Sequence, residues 1–202
     1  MKETAVKNQA KSVSLGTNLL ILVLLTILDS ILARFAVLTN PVAPGVAEIY
    51  FSVAFMIAST LWFGAWGAIA TYLSCFIGAG ILSGISVDVS FYWSFADLWQ
   101  VLIPLIAFRK LNADINLRTK RDFLIFLLFG WVLNNLVGAS WGSTTLAIGQ
   151  IISWNEVPST LLDWFTSNLI VTIIITPLFL RFVTPYIQRA NIGKRHKLRS
   201  RS

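Results

Sequence analysis

Cysteine and histidine are nearly missing from this 202-residue chain, which has one of each. With Cys75 alone, neither an intrachain disulfide nor a thiol-rich metal site can form. His196 stands in the basic run Lys194-Arg195-His196-Lys197, so no histidine lies in an apolar segment to activate a serine or cysteine. No His/Cys/carboxylate spacing fits zinc. A phosphate loop is lacking too, so the chain cannot hydrolyse a nucleotide to drive work by itself. The expectation is therefore a protein that is not an enzyme, with no catalytic residues, no metal site and no cofactor.

Charge is the next scarcity. Asp, Glu, Lys and Arg make up 12% of the residues, against about 25% in a soluble domain of ordinary composition. Apolar residues reach 56% and the mean hydropathy is +0.73, values that belong to an integral membrane protein. The formal charge of +7 would suit nucleic acid if it built a basic face, and it does not. Every Lys and Arg other than Arg34 falls in one of three short segments beside apolar runs. Lys2, Lys7 and Lys11 precede the first run, and Arg109, Lys110, Arg118, Lys120 and Arg121 form a central cluster. Arg181, Arg189, Lys194, Arg195, Lys197, Arg199 and Arg201 make the third. That distribution marks cytoplasmic segments and implies anionic lipid headgroups as the partner, not nucleic acid.

A helix needs roughly 20 residues to cross the hydrocarbon core. Residues 15–38 form a first span, too long for a signal-peptide core and carrying Asp29 and Arg34, so it reads as uncleaved. Residues 46–85 are apolar for about two helix lengths and must fold back. The turn is placed at Trp62-Phe63-Gly64-Ala65-Trp66-Gly67. Residues 83–90 are a polar link, residues 91–108 a fourth span and residues 111–121 a basic linker. A fifth span covers 123–146 and a sixth 161–182, with a kink expected at Pro177. If all basic clusters face the cytoplasm, the number of spans between neighbouring clusters must be even, and four and two satisfy that. The fold class expected is all-α: a polytopic bundle of six transmembrane helices in the plasma or inner membrane, with both termini cytoplasmic. Residues 1–14 form an N-terminal cytoplasmic segment, 15–182 the membrane domain and 183–202 a basic cytoplasmic tail.

The few polar residues inside the spans gather toward the outer half. Glu48 opens the second span and Asp163 the sixth, with Asn168 about two turns deeper. Asp97 and Gln100 lie in the fourth span, Asn134 and Asn135 near the middle of the fifth, and Asp29 in the first. A charge buried in a span costs about 2.5–3.5 kcal/mol on insertion scales, so such groups face a bundle interior or a wet cavity. Trp93, Asp97 and Gln100 are spaced i, i+4, i+7, and Asn168, Thr172 and Thr176 i, i+4, i+8, which aligns each set along one helix face. A cavity open to the outside would use Asp97, Gln100, Asn134, Asn135 and Asn168 for hydrogen bonds and Trp93 and Trp141 for stacking area. The tryptophans at 62, 66, 154 and 164 read as interface anchors. Interhelical glue is the alternative role for the amides. The third span has two ladders of small residues, Ala70-Ser74-Gly78 and Gly67-Thr71-Cys75-Ala79, which tight internal packing explains.

The run Leu61-Trp62-Phe63-Gly64-Ala65-Trp66-Gly67-Ala68-Ile69-Ala70, followed by Gly78-Ala79-Gly80, resembles the second and third helices of the substrate-binding S components of energy-coupling-factor transporters. That resemblance implies a six-helix subunit binding a vitamin or related precursor from outside, with a separate ATPase and a coupling membrane subunit as partners. The first span lacks the small residues spaced four apart through which many S components dock. A second resemblance is to MASE1, a membrane-integrated sensory domain. It rests on Trp164-Phe165-Thr166-Ser167-Asn168, Thr176-Pro177-Leu178, residues 102–110, and Trp141-Gly142-Ser143-Thr144-Thr145-Leu146. It implies signalling to a partner protein, although that family usually has Asp where this chain has Asn168. The leading expectation is the transporter subunit, with the sensor next and a structural membrane subunit without ligand third.

Overall fold

A computed structural model describes residues 14–35, 41–43, 46–47 and 50–190. Glu48, the N-terminal lysines and the tail from residue 191, His196 included, lie outside the described residues. Apart from one short hairpin of strands, β1 (Pro41–Ala43) and β2 (Val46–Ala47), the ordered elements are helices. Five of them are long and apolar enough to cross a membrane. They are α1 (Leu15–Phe35), α3 (Ala65–Ser83), α4 (Val87–Lys110), α5 (Lys120–Ile148) and α6 (Trp154–Arg189).

The sixth helix, α2 (Ser52–Phe63), departs from the expected second span. Its 12 residues reach only ~18 Å, and the chain ahead of it, expected to be helical from residue 46, forms β2 instead. Shortness goes with position. The helix packs against α1, α3, α4 and α6, and all its residues except Phe55 and Phe63 are buried. Such an element is apolar all round, as a helix at the centre of a bundle should be.

The expected reversal at Gly64 is present. Gly64 adopts φ 66° and ψ −127°, a backbone that glycine alone takes without strain, and the chain turns from α2 directly into α3. The small residues of α3 then let two neighbours close in. A Cβ on Gly67 would sit 2.6 Å from the Thr60 Cα on α2, and one on Gly78 would sit 2.8 Å from the Ser30 Cα on α1. Internal packing thus accounts for both ladders. At the same end of α2, Trp62 Nε1 donates to Thr184 Oγ1 over 2.8 Å and fastens the helix to α6.

Helix α1 is peripheral and mostly exposed, whereas more than half of α4 is buried. Asp29, Ser30 and Ala33 face the bundle, while Leu19, Leu20, Val23, Leu24, Ile27, Leu28 and Ile31 are exposed, as a lipid-facing helix requires. Helices α4, α5 and α6 form the opposite wall, α5 packing on both of its neighbours. Each of α3, α5 and α6 contains a wide π-helical turn, at Cys75–Gly80, Phe126–Val132 and Phe179–Val183 respectively. Pro177 does not end α6, which continues into the last of these turns.

Between α4 and α5, the basic linker is a compact turn. Asn112 and Leu117 take positive φ, and the Asp122 carboxylate accepts from the backbone N–H groups of Asp114 and Thr119 and from the Thr119 hydroxyl. Thr119 and Asp122 together cap the start of α5. Arg109, Lys110, Lys120 and Arg121 are exposed at this end. Helix α4 begins at Val87 and α5 at Lys120, a turn before each expected span, because Asp88 and the Thr119 cap supply the start signals.

Candidate ligand site

Every polar residue expected to face inward on α4 does so. Trp93, Asp97 and Gln100 are exposed by 1%, 2% and 0% respectively. Their spacing places them on one stripe, but the stripe serves two different neighbourhoods.

Asp97 belongs to the α1–α3 side. Its Oδ2 accepts from Tyr50 Oη over 3.4 Å, and the Cys75 thiol lies in hydrogen-bonding reach of the same carboxylate. Close by, Asp29 accepts from the hydroxyls of Ser52 and Ser74, the latter over 2.6 Å. Both carboxylates are therefore held by neutral hydroxyl and thiol donors from α2, α3 and the segment just ahead of α2. Arg34, one turn further along α1, is exposed. Sequence reading did not anticipate Ser52, Ser74 or Tyr50; they carry no charge and their partners are far along the chain.

The amides belong to the α4–α6 side, arranged in three layers. In the first, Trp93 meets Trp164 edge to face at 5.7 Å, and the Trp164 ring fills the notch left by Gly142. In the second, the Gln100 side chain lies in the notch at Gly138, where an added Cβ would come 2.2 Å from Nε2. In the third, Asn134 Nδ2 donates to the Gln100 backbone carbonyl over 3.2 Å. There too, Asn135 Nδ2 donates to Thr172 Oγ1 over 3.3 Å and to the Trp131 carbonyl over 2.7 Å. The latter carbonyl is available because the wide turn at Phe126–Val132 shifts the helical hydrogen-bond register just before the asparagines. Asn168, Thr172 and Thr176 form the α6 face as their spacing predicted, all at 0% exposure.

These amides are not hydrogen-bonded to capacity. Among the described residues, both polar atoms of the Gln100 and Asn168 side chains lack a partner, as do Asn134 Oδ1, Asn135 Oδ1, Trp93 Nε1 and Thr176 Oγ1. A buried polar group without a partner costs about 1–3 kcal/mol, and here eight such atoms fall in one region. The cavity expected to open outward is closed in this structure: Gln100, Asn134, Asn135 and Asn168 are each at 0% exposure. Closure follows from the two glycines of α5, whose notches are filled by Gln100 and Trp164.

Trp141 lies apart from the buried set. It is 41% exposed, its Nε1 donates to the Tyr92 carbonyl over 2.9 Å, and its ring packs near Phe95 and Trp99. Two of the four tryptophans expected as interface anchors are instead buried: Trp62 at 6% and Trp164 at 5%, whereas Trp154 is 62% exposed. Trp164 is thus the aromatic that sequence reading missed. Its position four residues before Asn168, on the Asn168-Thr172-Thr176 stripe, is the signal that could have found it. Asp163 and Glu156 are exposed near the start of α6, Glu156 accepting from the Ser153 backbone and hydroxyl. Among the described residues no group of three or more His, Cys, Asp or Glu side chains could hold a metal ion.

Comparison with protein-family models, with curated proteins and with solved structures finds no match to this chain.

Proposed function

We propose that this chain is a multi-pass protein of the plasma or inner membrane that recognises a small molecule from the outer face. In this reading it is the substrate-binding subunit of a transporter of the vitamin or precursor type. It crosses the bilayer six times with both ends in the cytoplasm, α2 being the short crossing. A separate ATPase and a coupling membrane subunit supply the energy. The observation that supports binding is the run of buried amides on α4, α5 and α6 that each keep at least one unpartnered atom. Gln100, Asn134, Asn135 and Asn168 supply hydrogen bonds, Trp93 supplies ring area, and Asp97 stands behind them. Ligand entry requires the Gln100 side chain to leave the Gly138 notch.

The test is mass spectrometry of the detergent-purified chain, with and without Asn168→Ala. A small molecule bound by the parent and lost from a folded variant supports the reading. Cysteine labelling supplies the topological half: positions introduced at 112 and 118 should react from the cytoplasmic side only. Labelling of those positions from outside would refute the orientation.

A sensor that signals to a partner protein is the second reading. What favours it is that Trp164 and Gly142, which belong to two of the segments resembling MASE1, are in contact. Capture from native membranes separates the two: an ATPase partner supports transport, whereas a kinase or cyclase partner supports sensing.

A further inference from the structure

We infer that the ligand of this layer is an uncharged, planar molecule with an amide-like edge, a lactam or carboxamide on a heterocycle. The inference rests on the ligand-binding reading of the same residues and adds the chemical class. Asp29 and Asp97 could have suggested a cationic ligand. Their oxygens, however, are already engaged by Ser52, Ser74, Tyr50 and Cys75 on the far side of α4. The unpartnered atoms on the α4–α6 side carry no formal charge. They comprise three N–H donor groups, at Trp93, Gln100 and Asn168, and four carbonyl acceptors, at Gln100, Asn134, Asn135 and Asn168. The Thr176 hydroxyl can serve as either.

Two features narrow the class further. Gln100 and Asn168 each leave both atoms of a carboxamide unpartnered. A carboxamide presents a donor and an acceptor side by side in one plane, which matches another amide or lactam edge in a two-bond pair and matches neither a carboxylate nor an ammonium group. Trp93 and Trp164 stand one layer away and give a flat ring apolar surface against which to rest. An ion in the same place would be buried without a counter-charge, which binding energy from neutral amides does not offset.

The experiment uses the full chain in detergent. Any molecule it carries is released and identified by mass spectrometry. Thermal stabilisation is then measured with uracil and nicotinamide against their charged counterparts orotate, nicotinate and 1-methylnicotinamide. The expected result is that the released molecule is uncharged at pH 7, or that a neutral probe binds roughly a hundredfold tighter than its charged counterpart. Gln100→Leu and Asn168→Leu should abolish that binding while the protein remains folded. If the released molecule is charged at pH 7, or if only charged probes bind, the class assignment is overturned and the ligand-binding reading stands. If nothing is released, no probe binds and the leucine variants are more stable than the parent, both fall and the amides are packing elements.

Discussion

Adding one methyl group to Gly142 should destabilise the bundle, and shortening Trp164 should restore it. A Cβ at position 142 would stand 2.1 Å from Trp164 Cζ3, 2.2 Å from Cη2 and 3.2 Å from Cε3. Carbon atoms rest best at about 3.5–4.0 Å, so the ring must retreat by about 1.5 Å. It has little room to do so. Trp164 is 5% exposed and lies against Trp93, itself 1% exposed. Forcing extra volume into such a site costs about 1–3 kcal/mol. The two closest atoms, Cζ3 and Cη2, lie on the outer edge of the fused indole, which the smaller ring of phenylalanine does not fill.

Gly142→Ala should therefore lower Tm, Trp164→Phe should lower it through lost packing, and the double variant should be more stable than Gly142→Ala alone. The two changes are coupled, with an interaction term of about 0.5–3 kcal/mol in the compensating direction. Cys75 provides the readout. It is the chain's single cysteine and 2% exposed, so a thiol-reactive fluorophore added during heating reports unfolding. Equal midpoints for Gly142→Ala and the parent, or additive losses in the double variant, would show that Trp164 is not seated in the Gly142 notch.

Other outcomes follow from the same packing. Gly64→Ala places a Cβ at φ 66°, ψ −127° and should cost about 1–3 kcal/mol, read as a lower Tm and a smaller membrane-inserted yield; an unchanged protein would argue against the α2–α3 turn. Asp29→Ala leaves the Ser52 hydroxyl without its acceptor and the Ser74 hydroxyl with the Thr71 carbonyl alone, and should cost about 1–3 kcal/mol, whereas Asp29→Asn, which keeps an acceptor, should cost less. Equal losses from the two variants would mean the hydroxyls do not depend on that side chain. Trp62→Phe removes the donor to Thr184 and should lower stability by about 1 kcal/mol, with no further loss on adding Thr184→Val. Gly138→Ala displaces the Gln100 amide and should change the affinity for any ligand bound there more than Ala139→Gly does; equal effects would separate Gln100 from binding.

The parts of the fold that sequence conveys are those with a one-dimensional cause. Apolar length announces the long helices, Gly64 between tryptophans announces the reversal, and offsets of three and four announce the buried faces of α4 and α6. What it hides depends on which helices become neighbours. Ser52 and Ser74 look like ordinary small residues until α1 brings Asp29 between them. On paper Trp141 reads as a source of ring area and Trp164 as an interface anchor. The bundle turns the first outward against Phe95 and Trp99 and the second inward against Trp93. The shortness of α2 is hidden for a similar reason. Hydropathy continues through residue 46 because the preceding strands are apolar as well, and hydropathy does not distinguish helix from strand.

The same neighbour relations put α5, which contributes Asn134 and Asn135, at the centre of the buried amides. Gly138 and Gly142, four apart, form the small-xxx-small pattern that ordinarily brings two membrane helices into backbone contact. Here the two hollows receive side chains instead, Gln100 from α4 and Trp164 from α6. A helix pair closed backbone to backbone would leave nothing to displace. Hollows plugged by a flexible amide and an aromatic ring can be vacated by moving the amide alone, since Gln100 has rotatable bonds and its polar atoms have no partner to give up. The glycines therefore set both the closed packing and the least costly route to opening it. For that reason Gly138→Ala and Gly142→Ala should differ: the first acts on ligand occupancy through a movable side chain, the second on stability through a fixed ring.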